Sequence, residues 1–118
     1  MDLSIVIPLL NESESLKELH RWIREVIHKK GLTYEIIFVN DGSTDDSWEI
    51  IKKLSSESAH QRYADGFATV RGINFQKNYG KSQALDAGFE LVKGNVVITM
   101  DADLQDNPEE IPELYNLI

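Results

Sequence analysis

Two acidic segments carry the residues of this 118-residue sequence that are best suited to chemistry. The first is 101–106, where Asp101 and Asp103 stand one residue apart with Gln105 beside them. Two carboxylates at this spacing can divide their work, one binding a divalent cation and the other a ribose hydroxyl or a metal-bound water. Mg²⁺ and Mn²⁺ prefer oxygen ligands and complete their shells with water and phosphate. The alternative is that these acids only form a turn and cap a helix.

The second acidic segment is 39–45, which also follows an apolar run. Asp41 could accept a hydrogen bond from a nucleobase N–H, Asn40 could accept or donate one, and Gly42 permits close backbone approach. An ordinary strand, turn and helix cap would use the same residues. Because ligands of parallel sheets bind beyond the carboxyl ends of strands, we expect Asp41 and Asp103 to share one cleft.

Two further segments could line the same cleft. Pro8 and Glu12 come at the end of the first apolar run, although Glu12 suits the first turn of a helix equally well. Lys77 and Lys81 flank the start of a predicted helix, where backbone amides and lysine charges favour a diphosphate. Solvated loop lysines are the alternative.

Alternating strand-like and helix-like segments must position these residues. This alternation predicts an α/β fold with a mostly parallel sheet and helices on both faces. The predicted strands are 3–8, 34–39, 67–75 and 95–100. Helices are predicted over 16–27, from Ser43 or Thr44 to a polar end and loop within 55–66, over 81–93, and from near Pro112.

Helix caps and isolated side chains give further predictions. Asn11 with Glu14 is expected to cap the first helix. Asp45 and Asp46 are expected in the first turn of the second helix, where the helix dipole favours acids. The remaining expectations are that three histidines are surface residues and two tryptophans are core residues: His20, His28, His60, Trp22 and Trp48.

Composition narrows the classes of function. The length favours a single domain over 1–118, and the absence of cysteine excludes disulfides, zinc–thiolate sites and cysteine nucleophiles. A net charge of -8 argues against a nucleic-acid partner and suits a protein that holds a cation against a phosphate, although solubility alone also explains it. No segment is typical of a signal peptide or a spanning helix, so the chain is expected to be cytoplasmic. Without a G-x-G-x-x-G run after the first strand, a dinucleotide cofactor is not expected.

Taken together, these segments resemble the inverting glycosyltransferases of family two, which have the Rossmann-like GT-A fold. The matching runs keep the family's order and cover nearly the whole chain: 4–12, 38–45, 78–81 with Ala84, Leu85 and Gly88, and 101–106. The Asp-Leu-Gln-Asp run with Pro108 and Glu109 looks like the polyprenyl-phosphate branch, which includes dolichol-phosphate mannose synthases. That branch often has two prolines after the run, and here the first position is Asn107.

The resemblance implies a donor site that contains a metal ion. Asp41 would contact the base of a UDP- or GDP-linked sugar, and Mg²⁺ or Mn²⁺ would neutralise the leaving diphosphate as the anomeric carbon inverts. With the candidates above, the expected donor-binding residues are Pro8, Glu12, Asn40, Asp41, Lys77, Lys81 and Asp101. The expected metal ligands are Asp101, Asp103 and Gln105.

Inversion also requires a general base that deprotonates the acceptor, here a polyprenyl phosphate or a saccharide. In this family that carboxylate lies well beyond the D-x-D run, so it is expected after Ile118 together with acceptor loops and any membrane helices. The chain would then be the N-terminal, donor-binding part of a longer enzyme at the cytoplasmic face of a membrane. By itself it would bind donor without transferring sugar, and an uncovered apolar flank could make it self-associate.

Two other functions are compatible with the acidic segments. An aspartate-nucleophile phosphotransferase would use Asp101 to attack phosphorus and Asp103 as acid and base. Such enzymes usually carry the motif on their first strand, with threonine or valine where Gln105 stands. A non-catalytic nucleotide-binding module would have the same sequence features, and only the presence of a second, carboxylate-bearing half would distinguish it.

Overall fold

Strands and helices alternate along the chain, and the computed structural model describes residues 1–60 and 68–117. The elements are β1 Leu3–Leu9, α1 Leu16–His28, β2 Tyr34–Asp41, α2 Ser47–His60, β3 Ala68–Phe75, α3 Lys81–Phe89, β4 Val96–Thr99, and a 3₁₀ turn Pro108–Glu110 that leads into α4 Ile111–Asn116. The predictions for 61–66, Phe67 and Ile118 lie outside the described residues. None of the helices within the described ranges has the length and apolar character needed to cross a membrane.

The four strands form one parallel sheet in the order β3-β2-β1-β4. β1 is buried along its whole length, which agrees with its continuous apolar run, because a central parallel strand is covered on both faces. Its side chains alternate between two cores. Ile5 and Ile7 pack with residues of α1, α2 and α4, whereas Val6 packs on the opposite face with Ala84 of α3. The predicted α/β fold with helices on both faces is therefore confirmed.

Helix α3 crosses the sheet from one edge to the other. It follows β3 at one edge, precedes β4 at the opposite edge, and contacts β1 and β2 between them. Gly88 makes this crossing close, since a Cβ at this position would collide with a methyl group of Val6. Because α3 begins shortly after the chain leaves the carboxyl end of β3, its N-terminus lies near the end of β2, where Asp41 binds the Gly80 amide.

Two helix starts differ from the sequence prediction. Asn11 does not cap α1, which begins after Ser15; its side chain instead accepts hydrogen bonds from backbone amides of the connection before α2. Helix α2 begins at Ser47, so Asp45 and Asp46 precede it, and Asp45 Oδ1 accepts a bond from the Ser47 amide at 2.9 Å. Both predictions were wrong because short polar side chains can satisfy amides of a neighbouring loop as well as those of the nearest helix.

A buried carboxylate on β2 explains why α3 is shorter than predicted. Glu35 is 1% exposed and accepts hydrogen bonds from Ser4 Oγ (2.6 Å), Arg71 Nη2 (2.6 Å) and the Lys93 amide (2.7 Å). Arg71 also donates to the Leu91 carbonyl. A helix continuing to residue 93 would need the Lys93 amide to donate to the Phe89 carbonyl, but this amide donates to Glu35 instead, and α3 ends at Phe89.

The charge of Glu35 is stabilised although the group is buried. Burial alone would raise the pKa of Glu35, but the hydrogen bonds from Ser4, Lys93 and Arg71 and the guanidinium charge outweigh it. The pKa therefore lies below its ordinary value of 4.5.

The histidine and tryptophan predictions are partly correct. His28 is exposed, but His20 is half-buried on α1, and this burial lowers its pKa below 6.5. Trp22 and Trp48 are also half-buried, and Trp48 packs against the core that contains Ile5 and Ile7. The prediction for His60 lies outside the described side chains.

Candidate functional site

A cleft of about 360 Å³ lies at the carboxyl ends of the strands. Four loops follow those strands, and we name them L1 (10–15), L2 (42–46), L3 (76–80) and L4 (100–107). The first strand has β2 on one side and β4 on the other, so the chain direction across the sheet reverses beside β1. Such a reversal leaves a crevice between the loops, the usual ligand position in open α/β sheets. The volume falls within the range of small-molecule sites.

Six of the predicted site residues line this cleft: Pro8, Glu12, Asp41, Lys81, Asp101 and Asp103. Asp41 and Asp103 thus lie around one cleft, as expected for a shared site. The sequence reasoning missed five further lining residues, which are neighbours of the predicted ones: Leu9, Leu10, Asn78, Gly80 and Ala102. The signal that could have found them was their position within the same four segments.

Three of the predicted site residues do not line the cleft. Asn40 is buried, and its Nδ2 donates to Asn74 Oδ1 at 2.8 Å across the β2–β3 pair. Lys77 is exposed, with Nζ 5.2 Å from the centroid of the Tyr79 ring. Gln105 is exposed on L4. Asn40 is turned away because an amide at a strand end finds a partner on the adjacent strand.

Asp41 has a positioning function that the sequence reasoning missed. Its carboxylate accepts hydrogen bonds from the amides of Tyr79 (Oδ1, 2.8 Å) and Gly80 (Oδ2, 3.0 Å), just before α3 begins. The carboxylate therefore satisfies donors that a helix start leaves free and joins the end of β2 to L3. Contact of Asp41 with a nucleobase stays a prediction.

L1 and L2 are joined by several hydrogen bonds. Asn11, with a φ of 55, accepts bonds from the amides of Thr44 (2.8 Å) and Asp45 (3.3 Å). Asp45 in turn accepts a bond from the Ser13 amide at 3.1 Å. Slight burial would raise the pKa of Asp45, but the hydrogen bonds from Ser47 and Ser13 outweigh this and lower it to about 2.

L4 presents the paired carboxylates. Asp101 Oδ1 forms an ion pair with Lys81 Nζ at 2.7 Å, and this hydrogen-bonded contact raises the pKa of Lys81. Asp103 Oδ1 accepts a bond from the Gln105 amide at 3.1 Å. Leu104, which directly follows Asp103, adopts a φ of 68°, and its side chain packs against the core that contains Ile5 and Ile7. A left-handed leucine is strained, so core packing here holds a loop conformation that the local sequence disfavours.

The donor set fits a hard cation that also binds a ligand phosphate. Within residues 1–60 and 68–117, no three acidic or histidine side chains converge as a closed metal site. Asp101 and Asp103 instead offer two carboxylates on one wall of an open cleft. Mg²⁺ is typically held in this way, by one or two carboxylates together with substrate phosphates.

The fold and cleft define an α/β protein with a candidate small-molecule cleft at the switch point of a parallel sheet. Residues 4–118 match the family described as Glycosyl transferase family 2. The chain belongs to this family, and the predicted family is confirmed.

Several curated relatives share the name undecaprenyl-phosphate 4-deoxy-4-formamido-L-arabinose transferase. The protein of Pseudomonas savastanoi pv. phaseolicola is 46% identical over 114 residues, which cover 97% of this chain and 32% of that protein. The protein of Salmonella paratyphi B is 44% identical over 111 residues, which cover 94% and 32%. The chain spans about a third of the length of these relatives. Their name is that of a polyprenyl-phosphate sugar transferase, the branch to which the sequence motifs pointed.

Solved structures agree on the fold. S. aureus TarS 1-349 in complex with UDP superposes with a TM-score of 0.70 at 18% identity, covering 100% of this chain and 32% of that chain. The same protein in complex with UDP-GlcNAc gives a TM-score of 0.63 at 18% identity, covering 100% and 31%. At this level of identity the likeness supports the fold alone.

Proposed function

We propose that this chain is the nucleotide-sugar-binding part of a glycosyltransferase that moves a sugar from a UDP- or GDP-linked donor to a polyprenyl phosphate. The observation that carries the proposal is the cleft itself. Asp101 and Asp103 face it from the end of β4, and Lys81 faces it from the start of α3. The comparisons add support, because the chain belongs to family 2 and its relatives at 46% and 44% identity are named as undecaprenyl-phosphate sugar transferases. Such an acceptor would place the whole enzyme at a membrane surface.

Each wall of the cleft has a distinct part in donor binding. The apolar end of β1, Pro8 with Leu9, packs against the nucleoside, while Asp41 fixes L3 so that its neighbours face the ligand. Asp101 and Asp103 would hold a divalent cation, Mg²⁺ or Mn²⁺, together with the diphosphate. When bound, such a cation would supply positive charge to the departing nucleoside diphosphate, and this charge would be a large source of stabilisation for its departure.

The first prediction concerns metal-linked nucleotide binding. Asp103→Asn should weaken Mn²⁺-dependent binding of UDP or GDP by about tenfold or more, because a hydrogen bond to a charged group contributes roughly 1.5–3 kcal/mol. Thermal stability should hardly change, since Asp103 is exposed and packs in no core. Isothermal titration calorimetry measures the affinity for nucleotide of both proteins, once in Mn²⁺ and once in EDTA.

The matched control is Asp86→Asn, which removes the same charge from an exposed position on α3 outside the cleft lining. It should leave nucleotide affinity unchanged. If the unmodified chain bound its nucleotide, UDP or GDP, with the same affinity in Mn²⁺ as in EDTA, this result would count against a metal site at Asp101 and Asp103.

A further inference from the structure

The four loops around the cleft are connected to one another in a closed series. Asn11 connects L1 to L2, and Asp41 at the end of β2 connects L2 to L3. Lys81, directly after L3, pairs with Asp101 of L4. The series closes where Ser15 Oγ donates to the Ala102 carbonyl at 2.6 Å, which joins L4 back to L1.

One connection in this series differs in kind from the others. The connections through Asn11, Asp41 and Ser15 each include a backbone amide or carbonyl group. The described connection from Lys81 to Asp101 joins two side chains that are 62% and 48% exposed. An ion pair between exposed side chains contributes little stability, so this connection can open without cost to the fold.

We propose that Lys81 is a displaceable counterion of Asp101, which it pairs with in the absence of a divalent cation and releases when the cation binds. The inference rests on the proposed function, because it requires that Asp101 be a metal ligand. The ammonium group binds Oδ1 of Asp101 at 2.7 Å, and this is one of the two carboxylate oxygens that could bind a metal ion. Two cations cannot share that oxygen at close range without strong repulsion.

The lysine side chain is suited to this exchange of partners. It is long and flexible, and its ammonium is a compact point charge that can reorient. Lys81 is the first residue of α3, so its backbone stays fixed by the helix while its side chain moves. After displacement the ammonium remains in the cleft, where it faces the diphosphate of a bound donor. The cleft therefore keeps a positive charge near Asp101 in both states.

Mn²⁺ binding without nucleotide tests the inference directly. The free Mn²⁺ concentration can be followed by electron paramagnetic resonance for the unmodified chain, Lys81→Met and Lys17→Met. Lys17 is an exposed lysine in the first turn of α1, outside the cleft lining, so its variant controls for the loss of one charge. Relative to Lys17→Met, Lys81→Met should bind Mn²⁺ about two- to fivefold more tightly, the range expected when a competing surface ion pair is removed.

A second titration, with UDP or GDP in saturating Mn²⁺, should show the opposite effect. Lys81→Met should then bind nucleotide more weakly than Lys17→Met, because the displaced ammonium no longer reaches the diphosphate. Unchanged or weaker Mn²⁺ binding by Lys81→Met would overturn the inference and leave the proposed metal site standing. An absence of Mn²⁺ binding by every protein, including the unmodified chain, would overturn both.

Discussion

Gly42→Ala should destabilise the chain by about 3 kcal/mol, because it adds a strained backbone conformation to a steric collision. Gly42 has a φ of 78, and a Cβ at this position would run into the backbone of Lys77 and Asn78. Backbone atoms of L3 cannot rotate aside as a flexible side chain would. Urea denaturation of both proteins, compared at equal slope, measures the difference in the free energy of unfolding.

Gly31→Ala separates the two parts of this effect. Gly31 has a φ of 66, and an added Cβ there would meet no atom within 4 Å. Its replacement should therefore cost only the left-handed conformation, about 1 kcal/mol. If both alanine variants lost the same free energy of unfolding, the added Cβ at Gly42 would cause no collision, and L2 would not pack closely on L3.

The Gly42 variant should also affect the cleft. L3 carries Asn78 and Gly80, which line the cleft, and its amides are held by Asp41. Displacing L3 would therefore weaken nucleotide binding, whereas Gly31, in the turn after α1, should leave binding unchanged. Calorimetry on the two variants at a temperature where both are folded distinguishes these outcomes.

Glu35→Gln should destabilise the chain by about 2–3 kcal/mol, somewhat below the range for breaking a buried ion pair because Arg71 is 32% exposed. The amide keeps the size of the side chain but loses the charge. Glu35 now accepts hydrogen bonds from three donors, on Ser4, Arg71 and Lys93. In the glutamine variant an NH₂ group would replace one of the accepting oxygens and would face at least one of these donors. Thermal or urea unfolding measures the change.

The exposed pair of Lys52 and Glu49 provides the control. These side chains are 3.0 Å apart and 51% and 70% exposed, so Glu49→Gln should cost less than about 0.5 kcal/mol. A Glu35→Gln variant no less stable than Glu49→Gln would show that the buried network contributes no net stability.

The Glu35 contribution should depend on pH. The pKa of Glu35 is lowered in the folded chain, so the unfolded chain binds the proton more readily. Its stabilisation is therefore fully present above the ordinary pKa of 4.5 and is lost as the pH falls through the lower folded value. The difference in unfolding free energy between the unmodified chain and Glu35→Gln should accordingly shrink below pH 4.5. A difference that stayed constant from pH 6 to pH 3 would contradict this assignment.

Much of the fold could be predicted from the sequence by itself. The continuous apolar runs that became β1 and β2 indicated strands covered on both faces, and the three- and four-residue spacing of Leu16, Leu19 and Ile23 indicated α1. The acidic turns after two strands placed Asp41 and Asp103 at one edge of a parallel sheet, because parallel strands all end at that edge. These features depend on local periodicity and on strand direction, which the sequence contains.

Only the tertiary structure decided which residues of each loop face the cleft and what else they bind. Asn40 found its partner on the adjacent strand, and Asn11 bound the amides of L2 in place of those of its own helix. Asp41 became the anchor of L3 because α3 crosses the sheet and brings its first turn over the end of β2. A polar side chain binds whichever donor or acceptor packing brings near, and that neighbour is often distant in sequence. For this reason residue types and spacing located the cleft, whereas partners such as Lys81 and Asp101, 20 residues apart, emerged only when the sheet was assembled.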